Sequence, residues 1–212
     1  MYYVRKINDL LFSPISRWIF QKWFENNFDS VNHCYIAQNC IGGRFYRLQK
    51  RGYSSPTVGL WFEPSDFIKF CMNLKENLAS ELVNDSAEAE RMGYPVGRLN
   101  GVKVMFQHYP TFEVAKADWE RRAARVVLDK AFFLMTDRDG FSVDDLKGFE
   151  AIPSKKKILF SHRRIDSCAN AIYVPGYESN ECIGDLYGAY EKLNAVSVRR
   201  RLLELLSNRE AV

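Results

Sequence analysis

Four short runs hold the side chains of this chain best suited to chemistry: Gln38-Asn39-Cys40, His108-Tyr109, Asp137-Arg138-Asp139 and Ser161-His162-Arg163. Together they offer a thiol, two imidazoles, two carboxylates and two guanidinium groups, the equipment of acid–base, nucleophilic and phosphate chemistry. Cys40 stands just before a run of helical pattern, where free N–H groups and the helix dipole favour a thiolate. With His108 or His162 as base it would make a nucleophile pair; the plainer alternative is a small loop cysteine. Gly42 and Gly43 let backbone approach a ligand closely and would serve a phosphate cradle. A lone glycine pair matches neither a Walker loop nor a dinucleotide fingerprint, however.

Asp137 and Asp139 are spaced to share a divalent cation bound to a diphosphate, or to bind a sugar hydroxyl. Arg138-Asp139-Gly140 also makes an ordinary turn, and no residue is assigned as a metal ligand. Arg122 and Arg125, three apart on one flank of a helix, fit a phosphate held by bidentate bonds. They fit ion pairs with Asp118, Asp137 or Asp139 equally well. His33 lies within a strand pattern and reads as structural. Tyr53, Trp61 and Tyr94 have faces for a sugar ring, or for packing.

These runs share a place in the pattern: each ends a segment of strand character. Residues 30–37, 101–107, 130–136 and 157–161 read as strands, alternating with helices over 43–51 and 111–127 and a short one after Ser142, which with Asp145 has a capping-box pattern. Phe112, Ala115, Trp119, Ala123 and Val126 form the apolar stripe of the second helix. Residues 57–63 and 171–177 add short strand candidates. Residues 64–82 read as a helix capped by Ser65, with Phe67, Phe70, Cys71, Leu74 and Leu78 on one face, and 187–207 as a terminal helix. Residues 84–101 read as a long surface loop. The order predicts a Rossmann-like three-layer α/β fold with a mostly parallel sheet. Ligands of such sheets bind beyond the carboxyl ends of the strands, so the four runs would share one rim.

An added N-terminal segment, 1–28, precedes a single α/β domain, 29–212. It reads as two helices, 3–12 and 14–26, with Ser13 as cap and Pro14 at the first helical position. Ile15, Ile19 and Trp23 form a stripe that would dock on the domain, or make peripheral membrane contact through residues 1–26 with Arg17 and Lys22 toward anionic lipid.

The formal charge of +4 admits anionic partners, but no basic stripe of the kind that binds nucleic acid is present. Five cysteines, an odd number without C-x-x-C spacing, argue against a disulfide framework or structural zinc and for a reducing, cytoplasmic setting. No transmembrane span or signal peptide is expected.

The blocks "NCIGGRFY", "SSPTVGLWF", "YPVGRLNGVKVMFQHY" and "TDRDGFSVDDLKGFEAIP", with a W-x-R-R-x-x-R run, resemble an uncharacterised bacterial family whose members are commonly labelled exopolysaccharide biosynthesis proteins. The resemblance covers roughly residues 30–165. It implies a Rossmann-like fold and a setting in surface-polysaccharide synthesis, and it carries no catalytic assignment. His162 lies outside its blocks. The function expected is a transferase acting on a sugar nucleotide or lipid-linked sugar. In it Asn39, Gly42, Gly43, Arg122, Arg125, Asp139 and His162 bind substrate, and His108, Asp137 and Cys40 carry the chemistry. The alternatives are a cysteine hydrolase or acyltransferase using Cys40 and His108, and a non-catalytic carbohydrate-binding or assembly protein. The sequence names no cofactor.

Overall fold

The computed structural model describes residues 2–207, with side chains from Pro14 onward. Its elements are, in order, α1 (Tyr2–Phe28), β1 (Cys34–Ala37), α2 (Ile41–Leu48), α3 (Pro64–Met72), α4 (Leu74–Ala79), β2 (Val83–Asn84), α5 (Ser86–Met92), β3 (Val96–Leu99) and β4 (Val102–Met105). There follow α6 (Phe112–Ala123), β5 (Ala131–Thr136), α7 (Val143–Ala151), β6 (Lys157–Ser161), β7 (Ala171–Tyr173), α8 (Tyr190–Leu193) and α9 (Val196–Leu206).

The main sheet runs β1-β5-β6-β7, and every neighbouring pair is parallel. Strands buried on both faces must be apolar throughout, and β1 and β5 are buried at every position. Alternation sorts their side chains into two cores. Tyr35, Ala37, Phe132, Leu134, Ile158 and Phe160 pack with α1, α2 and α9. Cys34, Ile36, Phe133, Met135 and Leu159 pack on the opposite face with α3, α6 and α7. The result is the three-layer, Rossmann-like α/β arrangement that the order of elements predicts.

A second sheet, β2-β3-β4, is antiparallel and lies within the chain between β1 and β5. It corrects two expectations. Residues 84–101 are not a surface loop, and the 101–107 segment does not join the parallel sheet. The local signals are orthodox: Asp85 accepts a hydrogen bond from the Glu88 N–H at the start of α5, and Gly93 ends that helix with φ 74°. Asn100 and Gly101, with φ of 45° and 75°, make the two-residue turn that joins β3 to β4. Trp61 pairs with Met105 as an isolated bridge, so residues 57–63 contribute one antiparallel contact rather than a strand. α3 and α4 are separate, divided at Asn73, and Pro64 rather than Ser65 opens α3, with Glu63 at the cap. The Ser142–Asp145 capping box is present.

At the N-terminus α1 is one helix with Pro14 inside it, so Ser13-Pro14 does not begin a second one. The stripe that docks is also different. Phe20, Phe24 and Phe28 are fully buried, and Phe24 lies 5.3 Å from Phe45 of α2, centroid to centroid. Ile15, Trp18 and Ile19 are exposed, and Trp23 is half-buried. Two apolar stripes with i, i+4 spacing compete on this helix. The aromatic one wins because each fully buried Phe stabilises by roughly 1.5–3 kcal/mol. No described helix is long and apolar enough to cross a membrane.

Candidate active site

Where β1 ends, α2 must begin within three residues, and close packing makes that possible. A methyl group at Gly42 would sit 2.6 Å from the Cβ of Ala37, so only glycine lets α2 lie this close to β1. Gly42 is therefore a packing residue rather than a phosphate cradle. Gly43 lines the cavity described below, with Val58 beside it. Asn39 ties the turn together: its amide donates to Thr136 Oγ1 at 2.9 Å, and its oxygen accepts from the Ile41 N–H at 3.3 Å. Cys40 follows at the cap of α2.

Facing it is His108. The imidazole arrives from the end of β4 in the small antiparallel sheet, not from a parallel strand, and its Nε2 lies 3.4 Å from Cys40 Sγ. That is hydrogen-bond range for a thiol. Burial pushes the Cys40 thiol above its usual value, the nearby Asp185 carboxylate adds to this, and Arg138 opposes it. Burial therefore favours the thiol over the thiolate at Cys40, beside an imidazole in hydrogen-bond range.

The pair opens on a cavity of about 820 Å³ beyond the carboxyl ends of β1 and β5. Asn39, Arg138 and Asp139 line it from the parallel sheet, and Arg47, Asp185 and Tyr187 close another side. Asp139 holds a left-handed backbone, φ 61°, ahead of Gly140 at 84°, which turns its carboxylate end of the loop toward the cavity rim. Tyr53, Trp61 and Tyr94 also line the cavity, so the aromatic faces noted in the sequence do border the site.

Three expected residues do not converge there as predicted. Asp137 lines a separate cavity of about 680 Å³ together with His162. Its carboxylate is fully engaged, accepting from Ser161 Oγ at 2.7 Å, the His162 N–H at 2.9 Å, His162 Nδ1 at 2.5 Å and the Ile183 N–H at 2.8 Å. Asp137 thus staples the ends of β5 and β6 to the 183 region. Side chains of Asp137 and Asp139 leave the strand end for different cavities, so they do not form a shared cation site. Among the described residues no three His, Cys, Asp or Glu side chains gather around a point that could hold a metal ion. Arg125 lies past the end of α6, is exposed, and does not line the main cavity.

Arg122 reaches the cavity but is already committed. Its Nη1 donates to Val58 O at 3.0 Å and Tyr109 Oη at 2.8 Å, and its Nη2 donates to Asp118 at 2.6 Å. It orders the wall that carries Tyr109, and its Nε alone is buried without a hydrogen-bond partner. Arg47, Asp185 and Tyr187 carry no signal in the sequence. Arg47 lies on a helix whose periodicity does not say which way its exposed face looks. Asp185 and Tyr187 belong to an irregular segment without motif or period.

A family described as a domain of unknown function (DUF1919) matches residues 13–201. The chain belongs to this DUF1919 family. A Haemophilus influenzae relative described as an uncharacterized protein is 32% identical over 152 residues, which is 72% of each chain. In this DUF1919 domain every residue named for the main cavity falls inside the matched span, and so does the Asp137–His162 staple.

Proposed function

We propose that this protein is a transferase of surface-polysaccharide synthesis, acting on a sugar nucleotide or lipid-linked sugar in the cavity beyond β1 and β5. One observation carries the reading: a roomy cleft at the strand ends combines a paired thiol and imidazole with arginines, carboxylates and aromatic faces. That mixture suits a phosphorylated saccharide. Aromatic rings cover the apolar face of a sugar, carboxylates accept from its hydroxyls, and guanidinium groups take phosphate oxygens. His108 accepts the proton of the acceptor hydroxyl as its oxygen bonds to the sugar carbon and the phosphate departs. Asp139 and Asp185 hold hydroxyls, and Arg47 and Arg138 face the phosphate; these replace Asp137, Arg122 and Arg125 in the roles first expected.

The test is a panel of nucleoside-diphosphate sugars, with and without magnesium or manganese. A donor should raise the melting temperature, and His108→Gln should keep that shift while lowering turnover by about 10²–10⁴-fold. The reading fails if no donor shifts the melting temperature.

The 3.4 Å contact favours a second reading, acyl transfer or hydrolysis through Cys40 with His108 as base. Here the sulfur would attack an acyl carbonyl as the imidazole takes its proton, the leaving group would depart with that proton to leave a thioester on Cys40, and water or an acceptor would then cleave the thioester. A mass increment on Cys40 after incubation with activated acyl donors supports it; an unmodified Cys40 in an active enzyme rules it out.

The cytoplasmic setting expected from the cysteines extends this proposal, with the exposed Ile15, Trp18 and Ile19 of α1 meeting the membrane where lipid carriers reside. Cosedimentation with anionic vesicles, lost in Trp18→Ser, tests that contact.

A further inference from the structure

Arg44 is an unusual arginine for its surroundings. Only 5% of it is exposed, and its guanidinium lies between two rings, 3.7 Å from the centroid of Tyr190 and 4.6 Å from that of Tyr187. A stacked cation gains attraction from the ring faces. The faces, however, accept none of the hydrogen bonds that its N–H groups can donate. Its Nε is buried without any hydrogen-bond partner, an arrangement that is costly unless something else supplies the acceptor.

The same two rings each carry a second cation. The Arg47 guanidinium lies 5.4 Å from Tyr187, and that of Arg17, at the surface of α1, lies 5.4 Å from Tyr190. The three guanidinium groups thus form a row only through shared rings: Arg47–Tyr187–Arg44–Tyr190–Arg17. Among the described residues none of the three has a carboxylate within ion-pair distance, although Arg91, Arg98, Arg121, Arg122 and Arg138 all do. Burial lowers the Arg44 pKa to about 10, and repulsion from Arg17 and Arg47 contributes. Arg47 and Tyr187 both line the main cavity, so the row begins at the cavity wall and leads toward α1.

We propose that Arg47 at the cavity wall, backed by Arg44 and Arg17, receives the diphosphate of the cavity's substrate. This rests on the phosphorylated-saccharide reading and gives it a location. Three cations grouped around two rings suit the charge of a diphosphate better than a single carboxylate, and guanidinium forks match phosphate oxygens. The diphosphate could be carried by a nucleotide or by a lipid, and both present the same chemistry to this row. Arg17 lies on α1 beside the exposed Trp18, so a lipid-borne diphosphate would reach the row from the side where α1 meets a membrane.

The experiment is calorimetric titration of the full chain with inorganic pyrophosphate. Arg47→Gln is the main variant, because Arg47 is exposed and its removal leaves the core intact. Arg44→Lys, which keeps the buried charge but not the fork, is the second, with circular dichroism as a check on folding. Pyrophosphate should bind the parent chain, weaken with added salt, and bind each variant roughly tenfold or more weakly, as expected for the loss of a charge-assisted hydrogen bond. Arg125→Gln, which removes an exposed charge outside the cavity, should bind it unchanged. Equal binding by folded Arg47→Gln and the parent overturns the proposal. So does a parent chain that binds a sugar nucleotide but not pyrophosphate; in that case the transferase reading survives without this subsite. Pyrophosphate binding without turnover of any donor has the opposite meaning: the subsite stands and the transferase reading falls. The two sources separate in a parallel assay. Displacement of pyrophosphate by uridine diphosphate supports the nucleotide. Sedimentation with phosphatidylcholine vesicles only when they carry a long-chain isoprenyl diphosphate, lost in Arg47→Gln, supports the lipid.

Discussion

Replacing Gly42 by alanine separates two roles that a glycine at this position could have. In an open helix the change stabilises by about 1 kcal/mol through helix propensity. Here the new methyl would stand 2.6 Å from Ala37 Cβ, well inside the roughly 3.5–4.0 Å of a normal carbon contact. Ala37 is fully buried in β1 and has no rotamer to move, so α2 must shift by about 1 Å, at the roughly 1–3 kcal/mol typical of overpacking, sometimes more. The variant should lose about 0–2 kcal/mol net once propensity is offset against overpacking, or up to about 8 °C in melting temperature for a chain of this size. Urea unfolding followed by circular dichroism measures it. The double variant with Ala37→Gly removes the opposing methyl, and the cycle should show a coupling of about 1–3 kcal/mol between the two sites. A shift of α2 also moves its cap, so the variant should loosen the Cys40–His108 contact. Stabilisation by Gly42→Ala would refute the packing account. Full stability combined with lost pyrophosphate binding would restore the phosphate-cradle reading instead.

The remaining predictions concern the cysteines, the aspartates and one buried histidine. At neutral pH iodoacetamide should modify Cys40 and Cys182, which are partly exposed, ahead of the buried Cys34, Cys71 and Cys168. Because burial raises the Cys40 pKa, its rate should lie below that of free cysteine and climb with alkaline pH; a faster rate at neutral pH would mean a thiolate is already present. Asp137→Asn should destabilise by about 2–4 kcal/mol, since the amide cannot reproduce the acceptor set of a carboxylate, whereas Asp139→Asn should leave unfolding nearly unchanged. Equal costs would show that Asp137 is no staple. His33 is buried, its Nε2 lies 2.9 Å from Leu206 O, and burial lowers its pKa. The unfolded state therefore takes up the proton first, so stability should be complete above about pH 6.5 and decline below it. Scanning calorimetry of His33→Gln should show a smaller decline over the same range, and an identical one removes His33 as a cause.

Much of the frame was legible because it is written in local periodicity. The apolar runs at 130–136 and 157–161 read as buried strands, and the Ser142–Asp145 pair as a helix start; each signal involves residues within a few positions of one another. The same local rules would have found α5 and the Asn100-Gly101 turn, whose cap and turn residues were present in a stretch read as loop. The site was legible in part. Cys40 and His108 were paired in prospect because both end strand-like segments, although His108 was placed on the wrong sheet. Asp137 and Arg122 were misjudged because a titratable side chain does not reveal how many acceptors or donors its neighbours supply.

The sequence by itself determined the buried strands at 130–136 and 157–161, the helices at 111–127 and after Ser142, and the runs of polar residues at strand ends, since these follow from spacing along the chain. Only the tertiary structure decided which of two equivalent stripes on α1 is buried, that Asp137 and Asp139 turn into separate cavities, and that Arg17, Arg44 and Arg47 share two tyrosine rings. The last of these joins residues from α1, α2, α8 and the segment ahead of α8. No local rule reaches across such separations, because the contact depends on where several packed layers bring distant turns of chain together.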